Sequence, residues 1–181
     1  MAKGLRVALL LVLGLAGCTT LHEPAPPSEP EMAALPKLER PPAGPQAKPV
    51  YRVGEPYRIT GRWYYPKVDY DYEIEGRASW YGKQFHGRLT ANGELFDQNE
   101  LTAAHQTLPL PSVIRVTNLE NGRTLVLRVN DRGPFVRNRV LDVSKKAAKL
   151  LNFHDQGTTR VRIELLEKES KAAAAELGWK G

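Results

Sequence analysis

Apolar and polar residues alternate along several short runs in the second half of the chain. Two such runs, 113–118 and 124–129, flank the turn residues Asn121 and Gly122. An Asn-Gly pair between alternating runs is a strong hairpin signal. The runs 77–81, 101–105 and 159–165 are further strand candidates. Several short strands with few helices predict a mainly β domain, folded as a small closed barrel.

Two stretches carry helix signals instead. Ser144 is a good N-cap for the Lys-, Ala- and Leu-rich run 145–151. The run 167–177 predicts a second helix that frays at its end. The chain shows no internal repeat. The pattern therefore predicts one or two short helices beside the strands.

The first 17 residues have the pattern of a signal peptide. Lys3 and Arg6 precede the apolar run 7–13, which is too short to span a bilayer as a mature helix. Small residues then lead into Cys18, as in a bacterial lipobox, where this cysteine is acylated. The alternative is an ordinary signal peptide with an accidental cysteine. Because Cys18 is the only cysteine, an internal disulfide is excluded.

Residue 19 and the net charge bear on location and partners. Thr19 follows the cysteine, where aspartate is the common inner-membrane retention signal, so we expect an outer-membrane lipoprotein facing the periplasm. The formal charge is +6, and it falls to +4 once Lys3 and Arg6 leave with the signal peptide. This excess favours an anionic partner. For an exported protein, peptidoglycan or a lipid surface is expected, and nucleic acid is not.

Composition divides the rest of the chain into four parts. Residues 18–50 are rich in Pro, Ala, Glu and Lys and predict a lipidated, disordered tether. In polyproline form about 30 residues reach roughly 90 Å. Residues 51–74 are crowded with aromatic side chains and predict a strap that packs across the barrel, with a sugar-stacking platform as the alternative. The barrel is expected at 75–166 and a tail at 167–181.

Six short motifs follow one another in this second half, at 76–82, 85–88, 90–94, 101–105, 129–135 and 139–144. Together they closely resemble the rare lipoprotein A (RlpA) family of septal-ring lytic transglycosylases, over about residues 75–166. The resemblance implies a six-stranded double-psi β-barrel, a fold shared with expansins and some endoglucanases. It also implies a carbon–oxygen lyase that cleaves the MurNAc–GlcNAc β-1,4 bond and leaves 1,6-anhydroMurNAc ends, in wall remodelling and daughter-cell separation.

The residues themselves fit this chemistry. Cleavage of a glycosidic bond needs a protonated acid at the leaving oxygen. A lytic transglycosylase manages with few other groups, because the C6 hydroxyl of the muramic acid is its own nucleophile and gains a high effective molarity. The four histidines are scattered without metal-ligand spacing. We therefore expect no metal and no cofactor.

Three residues are the candidates for catalysis. Asp131 follows an apolar strand and enters a tight turn, where burial would raise its pKa into the range of an acid. Arg132 would oppose this shift if its guanidinium faced the carboxylate, and a structural Asp–Arg ion pair is the alternative. The resemblance places Glu94 in the same cleft, as a positioning or acid–base group, whereas the sequence alone favours a solvated glutamate in a turn. His105 ends an apolar strand, either orienting a carboxylate or filling the core.

Substrate contacts are predicted around these groups. Trp80 and Tyr81 are adjacent on a strand and so point to opposite faces, one to the core and one to a sugar. Hydrogen bonds to hydroxyl or N-acetyl groups are expected from polar side chains near the motifs, namely Ser79, Tyr81, Asn92 and Asn130, with Arg132 beside them. For His86 and Arg88 a structural role is equally expected.

Three functions compete at this point. The first is the transglycosylase, with exolytic or endolytic action left open. The second is a non-enzymatic, expansin-like module that binds peptidoglycan. The third is a hydrolase that uses water. The presence of both Glu94 and Asp131 favours an enzyme, because a binder needs no acid. Many relatives carry a C-terminal repeat that binds denuded septal glycan, and none is expected after this barrel, so septal targeting is not predicted.

Overall fold

A computed structural model describes residues 48–180, and a closed six-stranded barrel forms most of them. Its strands are β3 (Glu73–Tyr81), β4 (Thr102–His105), β5 (Ser112–Asn118), β6 (Thr124–Asp131), β7 (Arg139–Ser144) and β8 (Thr158–Leu165). They close in the order β3-β7-β4-β6-β5-β8. The β3–β7 and β4–β6 pairs are parallel, and the other four are antiparallel. The predicted six-stranded double-psi barrel is confirmed.

The alternating runs supply the barrel core. Each strand turns its apolar residues inward, and the fully buried members include Ile114, Leu127, Val129, Leu141, Val161 and Ile163. Burying one such side chain contributes about 1.5–3 kcal/mol. The predicted hairpin joins β5 to β6, with Thr117 opposite Thr124. Gly122 has φ +73°, a left-handed conformation that glycine adopts without a steric penalty.

Both predicted helices are present. Helix α1 (Lys145–Leu150) follows Ser144, whose hydroxyl accepts a hydrogen bond from the Ala147 N–H. Helix α2 (Glu167–Ala175) packs on β5, where Ser170 bonds both the N–H and the carbonyl of Val113. Among residues 48–180, neither helix has the length and hydropathy needed to cross a bilayer.

The aromatic segment before the barrel contains a small hairpin that the sequence pattern did not predict. Strands β1 (Tyr57–Ile59) and β2 (Arg62–Tyr64) pair antiparallel. A two-residue turn joins them, with Thr60 at φ 45° and Gly61 at φ 84°. The rings of Tyr57 and Tyr64 stack 5.2 Å apart. Both contact the ring of Phe135, so the hairpin packs on the loop that follows β6.

The long connection between β3 and β4 folds back over the barrel. It starts with a 3₁₀ turn (Lys83–Phe85) and closes on itself through main-chain hydrogen bonds, such as Thr90 N–H to the Glu94 carbonyl. The Asn92 N–H also donates to the Asn130 carbonyl on β6. This second contact fixes the connection beside the end of β6, where the candidate acid lies.

Candidate active site

A row of side chains crosses four neighbouring strands on the outer face of the barrel. Strand register pairs Asp131 on β6 with Ala104 on β4, Ala104 with Asp142 on β7, and Asp142 with Ser79 on β3. Residues paired in register point to the same face of a sheet. Their chain neighbours point into the barrel core, namely Ala78, Ala103, Leu141 and Val143. Asp131 and Asp142 therefore share one face, on either side of the small Ala104.

The Asp131 carboxylate is held by one of its two oxygens. Its Oδ1 accepts hydrogen bonds from the main-chain N–H groups of Ala91, at 2.9 Å, and Arg132, at 2.8 Å. Within residues 48–180, Oδ2 receives no donor. Burial raises the pKa of Asp131, and this effect outweighs the two N–H donors and the Arg132 charge, which lower it. The carboxyl is thus fixed in orientation, with Oδ2 left to carry a proton.

The Arg132 guanidinium turns away from Asp131. Its Nη2 donates to the Val53 carbonyl at 2.6 Å, and its Nη1 donates to the Leu108 carbonyl at 2.5 Å. A longer contact of 3.4 Å joins Nη1 to the His105 carbonyl. These carbonyls occupy the guanidinium, so it clamps the N-terminal segment to the barrel. In the described part of the chain, the structural Asp131–Arg132 ion pair does not form.

Glu94 lies in a different environment. Its side chain is only 1% exposed and pairs with Arg128, whose Nη2 donates to Oε1 at 2.8 Å. Asn92 and Asn130 donate to Oε1 and Oε2 at 3.1 and 2.8 Å. Burial alone would raise the pKa of Glu94, but Arg128 and the two amides together hold it below its ordinary value. Glu94 is therefore an ionised anchor of the 90–94 turn.

That anchor bears directly on Asp131. Asn92 is bonded to Glu94 through its side chain and to the Asn130 carbonyl through its main chain. Ala91, the preceding residue, donates its N–H to Asp131. Glu94, Arg128, Asn92 and Asn130 together form the Glu94 cluster. This cluster sets the position of the Ala91 N–H, one of the two donors that orient the candidate acid.

The His105 side chain is fully hydrogen-bonded and fixes a turn. Its Nδ1 accepts the N–H groups of Thr107 and Leu108, at 3.1 Å each, so its Nε2 carries the hydrogen and donates to the Tyr72 hydroxyl at 2.9 Å. Burial, with a smaller contribution from the Arg132 charge, lowers the pKa of His105 to about 3. This neutral imidazole supports the turn whose carbonyls hold Arg132.

The predicted substrate contacts separate into two groups. Ser79 and Tyr81 share the cleft face with Asp131, and the Tyr81 ring stacks on Phe96 at 4.2 Å. Trp80 points the other way, stacking on His154 at 4.4 Å and donating its Nε1–H to the His154 carbonyl. Strand alternation accounts for this division.

The remaining polar candidates lie away from the cleft surface. Asn92 and Asn130 are fully buried in the Glu94 cluster, and Arg132 is bound to carbonyls. His86 Nδ1 lies 3.4 Å from Asp97 Oδ1. The Arg88 guanidinium lies 5.9 Å from the centre of the Phe85 ring. The structure therefore brings only Ser79 and Tyr81 of this set onto the face of Asp131.

Asp142 is a cleft carboxylate that the sequence reasoning missed. Ser79 Oγ donates to its Oδ1, and Arg139 Nη1 in turn donates to Ser79 Oγ at 2.8 Å. Burial raises the pKa of Asp142, while Ser79 and Arg139 partly oppose the shift. The sequence feature that could have identified it is a charged residue between Leu141 and Val143, at a position where the alternation of an apolar strand predicts an outward-facing side chain. Among residues 48–180, no group of His, Cys, Asp and Glu side chains is arranged to hold a metal.

The fold and this row of polar groups define a double-psi barrel with an acidic cleft on its outer face. Residues 73–163 match the family described as lytic transglycolase. This match spans half of the chain, and the chain belongs to that family.

Relatives of high identity carry one name, endolytic peptidoglycan transglycosylase RlpA. A Rickettsia felis protein is 51% identical over 124 residues, covering 67% of this chain and 54% of the relative. A Pseudomonas aeruginosa protein is 56% identical over 110 residues, covering 60% and 32%. A Neisseria meningitidis protein is 51% identical over 121 residues, covering 66% and 51%. The chain thus spans about a third to just over half of these relatives.

Solved structures show weaker similarity. The Streptomyces papain inhibitor aligns with a TM-score of 0.44 and 18% identity, over 55% of this chain and 99% of the inhibitor. An expansin from Clavibacter michiganensis aligns with a TM-score of 0.42 and 19% identity, over 52% and 50%.

Proposed function

We propose that this protein is a peptidoglycan lytic transglycosylase that cleaves the β-1,4 bond between MurNAc and GlcNAc. The observation that carries the proposal is the state of Asp131, a carboxyl with a raised pKa, one oxygen held by two N–H donors and the other without a donor among the described residues. Family membership and the relatives' name support it, and the name favours endolytic cleavage.

The geometry supplies the step that such an enzyme needs. Because Oδ1 is occupied by N–H donors, the proton of Asp131 sits on Oδ2 and is delivered from there to the glycosidic oxygen. The bond from C1 of MurNAc to this oxygen breaks, and the MurNAc C6 hydroxyl then attacks C1 from the same face, giving its proton to the Asp131 carboxylate and restoring the acid. A 1,6-anhydro ring forms and no water is consumed. Attack within one sugar avoids the entropy cost of bringing in a second molecule.

The other predicted site residues act through Asp131 in this proposal. Glu94 and the amides of Asn92 and Asn130 position Ala91, while His105 and Arg132 fix the loop on the other side. Ser79 and Tyr81, both buried on the face of Asp131, support this face from below. Trp80 secures the barrel end against His154.

The proposed substrate places the protein in the cell envelope. We propose that acylated Cys18 anchors it to the periplasmic face of the outer membrane, with residues 18–50 as the tether. Cys18 and most of that tether lie outside the described residues. Residues 51–74 form the strap, 75–166 the barrel domain and 167–181 the tail in this proposal.

Mass spectrometry of purified sacculi incubated with the full-length protein tests the function. Wild-type protein is expected to release fragments ending in 1,6-anhydroMurNAc, lighter by one water than hydrolytic ends. Reducing ends instead would assign a hydrolase. Bound sacculi without released fragments would leave the expansin-like binding module, which the acid geometry does not favour.

A further inference from the structure

The start of the connection between β3 and β4 borders the cleft without being part of its strand face. Its Phe85 ring, 40% exposed, meets the Tyr81 ring at 5.9 Å. Tyr81 and Phe96 form one buried cluster with Ala104, the register partner of Asp131. Phe85 therefore lies at the edge of the cleft, outside the rings that are packed on Ala104.

Arg88 follows Phe85 along this edge, and the chain length limits its distance from the acid. The Ala91 N–H donates to Asp131 at 2.9 Å. Arg88 and Ala91 are three positions apart, so their Cα atoms are separated by at most about 11 Å. A glycan strand held at Asp131 is therefore within reach of the long Arg88 side chain.

The main chain of Arg88 is fixed, while its charge is left in solvent. Its N–H donates to the Phe85 carbonyl at 3.0 Å, and its carbonyl accepts the Phe96 N–H at 2.8 Å. The exposed guanidinium lies 5.9 Å from the centre of the Phe85 ring, within the roughly 6 Å range of a cation–π contact. Among residues 48–180, this guanidinium makes no ion pair and no hydrogen bond.

The other arginines around Asp131 have their guanidinium groups occupied. Arg128 is paired with a buried carboxylate, Arg132 is bound to main-chain carbonyls, and Arg139 donates to a serine hydroxyl. Arg88 differs because its N–H donors are not used by the described part of the chain. A guanidinium resting on an aromatic ring keeps these donors in its own plane, where they match the two oxygens of a carboxylate.

We propose that Arg88, supported by Phe85, binds a carboxylate of the muramic acid unit held beside Asp131. This inference rests on the proposed function and adds a recognition element to it. Where MurNAc carries no stem peptide, its lactyl group ends in a free carboxylate. Where a peptide is attached, that group is an amide and the peptide supplies carboxylates of its own. Phe85 is a positioning residue that holds the guanidinium at the cleft edge.

Glycan affinity of the full-length protein tests this role, measured in Asp131→Asn so that the strands are bound without being cut. The variant Asp131→Asn/Arg88→Gln is compared with it on three ligands. These are glycan strands stripped of stem peptides, strands that keep them, and stripped strands whose lactyl carboxyls have been converted to methyl amides. Arg88→Gln should weaken binding of a recognised carboxylate by about 10-fold, as expected for a lost charge-assisted hydrogen bond.

The ligand that loses affinity identifies the carboxylate. A loss on stripped strands assigns the lactyl group, a loss on peptide-bearing strands assigns the stem peptide, and a loss on both means that Arg88 accepts either. The methyl amide strands should bind the two variants equally. The proposal is overturned if no ligand loses affinity, if the methyl amide strands lose as much as the others, or if Asp131→Asn binds none of the three.

Three further variants separate recognition from a general effect of charge or folding. Arg62→Gln is the matched control, because Arg62 is also exposed and also lies over a ring, that of Tyr64 at 5.3 Å. It should bind like its parent, and an equal loss there would overturn the specific role of Arg88. Arg88→Lys keeps the charge without the planar fork, so it should bind the same ligand more weakly than arginine, and it decides the matter if Arg88→Gln does not fold. Phe85→Leu should cause a smaller loss on that ligand.

The two proposals fail in different ways. Wild-type protein that releases no anhydro fragments overturns the proposed function, but the binding comparison does not depend on cleavage. Wild-type protein that releases them, beside equal affinities with and without Arg88, overturns only the role of Arg88.

Discussion

Asp131 and Glu94 are both partly or fully buried carboxylates near the end of β6, yet their surroundings direct them to opposite roles. Glu94 receives Arg128 and two amides on its two oxygens, and its pKa lies below the ordinary value. Asp131 receives two N–H groups on one oxygen, and burial raises its pKa. Burial acts on both, so the donors decide which carboxyl keeps a proton.

The difference shows that a carboxylate in a cleft motif is not by itself an acid. A buried anion that is fully paired is costly to disturb, and it serves as a rigid reference point for its neighbours. In the proposed reaction, the carboxyl with one oxygen free of donors exchanges its proton with the substrate. In this molecule the first supports the second through Ala91.

Asp131→Asn is expected to have the largest effect on activity. The amide keeps the shape and accepts the N–H groups of Ala91 and Arg132, but it has no acidic proton. Fragment release from sacculi should fall by roughly 10²–10⁴-fold, while sacculus binding persists. Quantified muropeptide release with a parallel pull-down assay measures both. Wild-type-like release would remove Asp131 from the acid role.

Glu94→Gln is expected to act on stability first. The substitution leaves Arg128 buried without its counter-charge, which costs about 3–5 kcal/mol. Chemical denaturation should show this loss, and activity should fall with the folded fraction. The double variant Glu94→Leu with Arg128→Met removes both charges and should recover much of the stability. If the single variant is as stable as wild type but inactive, Glu94 takes part in the chemistry.

His105 allows a test of the support on the other side of Asp131. Its pKa in the folded protein is about 3, against 6.5 for an ordinary histidine. The unfolded chain therefore binds a proton between these values while the folded protein does not. Stability from the neutral ring is complete above pH 6.5 and is lost as the pH falls, at up to about 1.4 kcal/mol per unit.

Denaturation curves of wild type and His105→Gln at several pH values check this expectation. The variant starts from a lower stability at neutral pH but should lose less of it between pH 6.5 and 3, because glutamine does not titrate. Parallel curves for the two proteins would show that His105 is protonated in the fold, and its Nδ1 could then not accept the N–H groups of Thr107 and Leu108.

The sequence pattern predicted much of the fold and part of the site. Period-two alternation located the β5–β6 hairpin, and Ser144 located the start of α1, because both signals are local. The β1–β2 hairpin was missed because its turn is Thr60-Gly61, not Asn-Gly, and its aromatic residues gave no clear alternation. Strand register across β6, β4 and β7 depends on chain segments far apart, so the pairing of Asp131 with Asp142 was not visible in the sequence.

Asn92→Ala gives the smallest effect and tests how the two carboxylates communicate. The substitution removes one donor to Glu94, at 3.1 Å, and leaves Arg128 and Asn130 in place. It also removes the side-chain acceptor for the Thr90 hydroxyl and the Glu94 N–H. These losses should cost roughly 1–3 kcal/mol of unfolding free energy, so the protein stays folded.

Because the 90–94 turn is then held less firmly, the Ala91 N–H should bond Asp131 less well. That donor lowers the pKa of Asp131, so weakening it should raise this pKa. The alkaline limb of the pH–activity profile, where activity falls as Asp131 loses its proton, should then move to higher pH. Muropeptide release measured across pH, on protein shown to be folded at each point, detects the shift. An unmoved alkaline limb would mean that Ala91 keeps its position without Asn92, and that the Glu94 cluster stabilises the barrel without adjusting the acid.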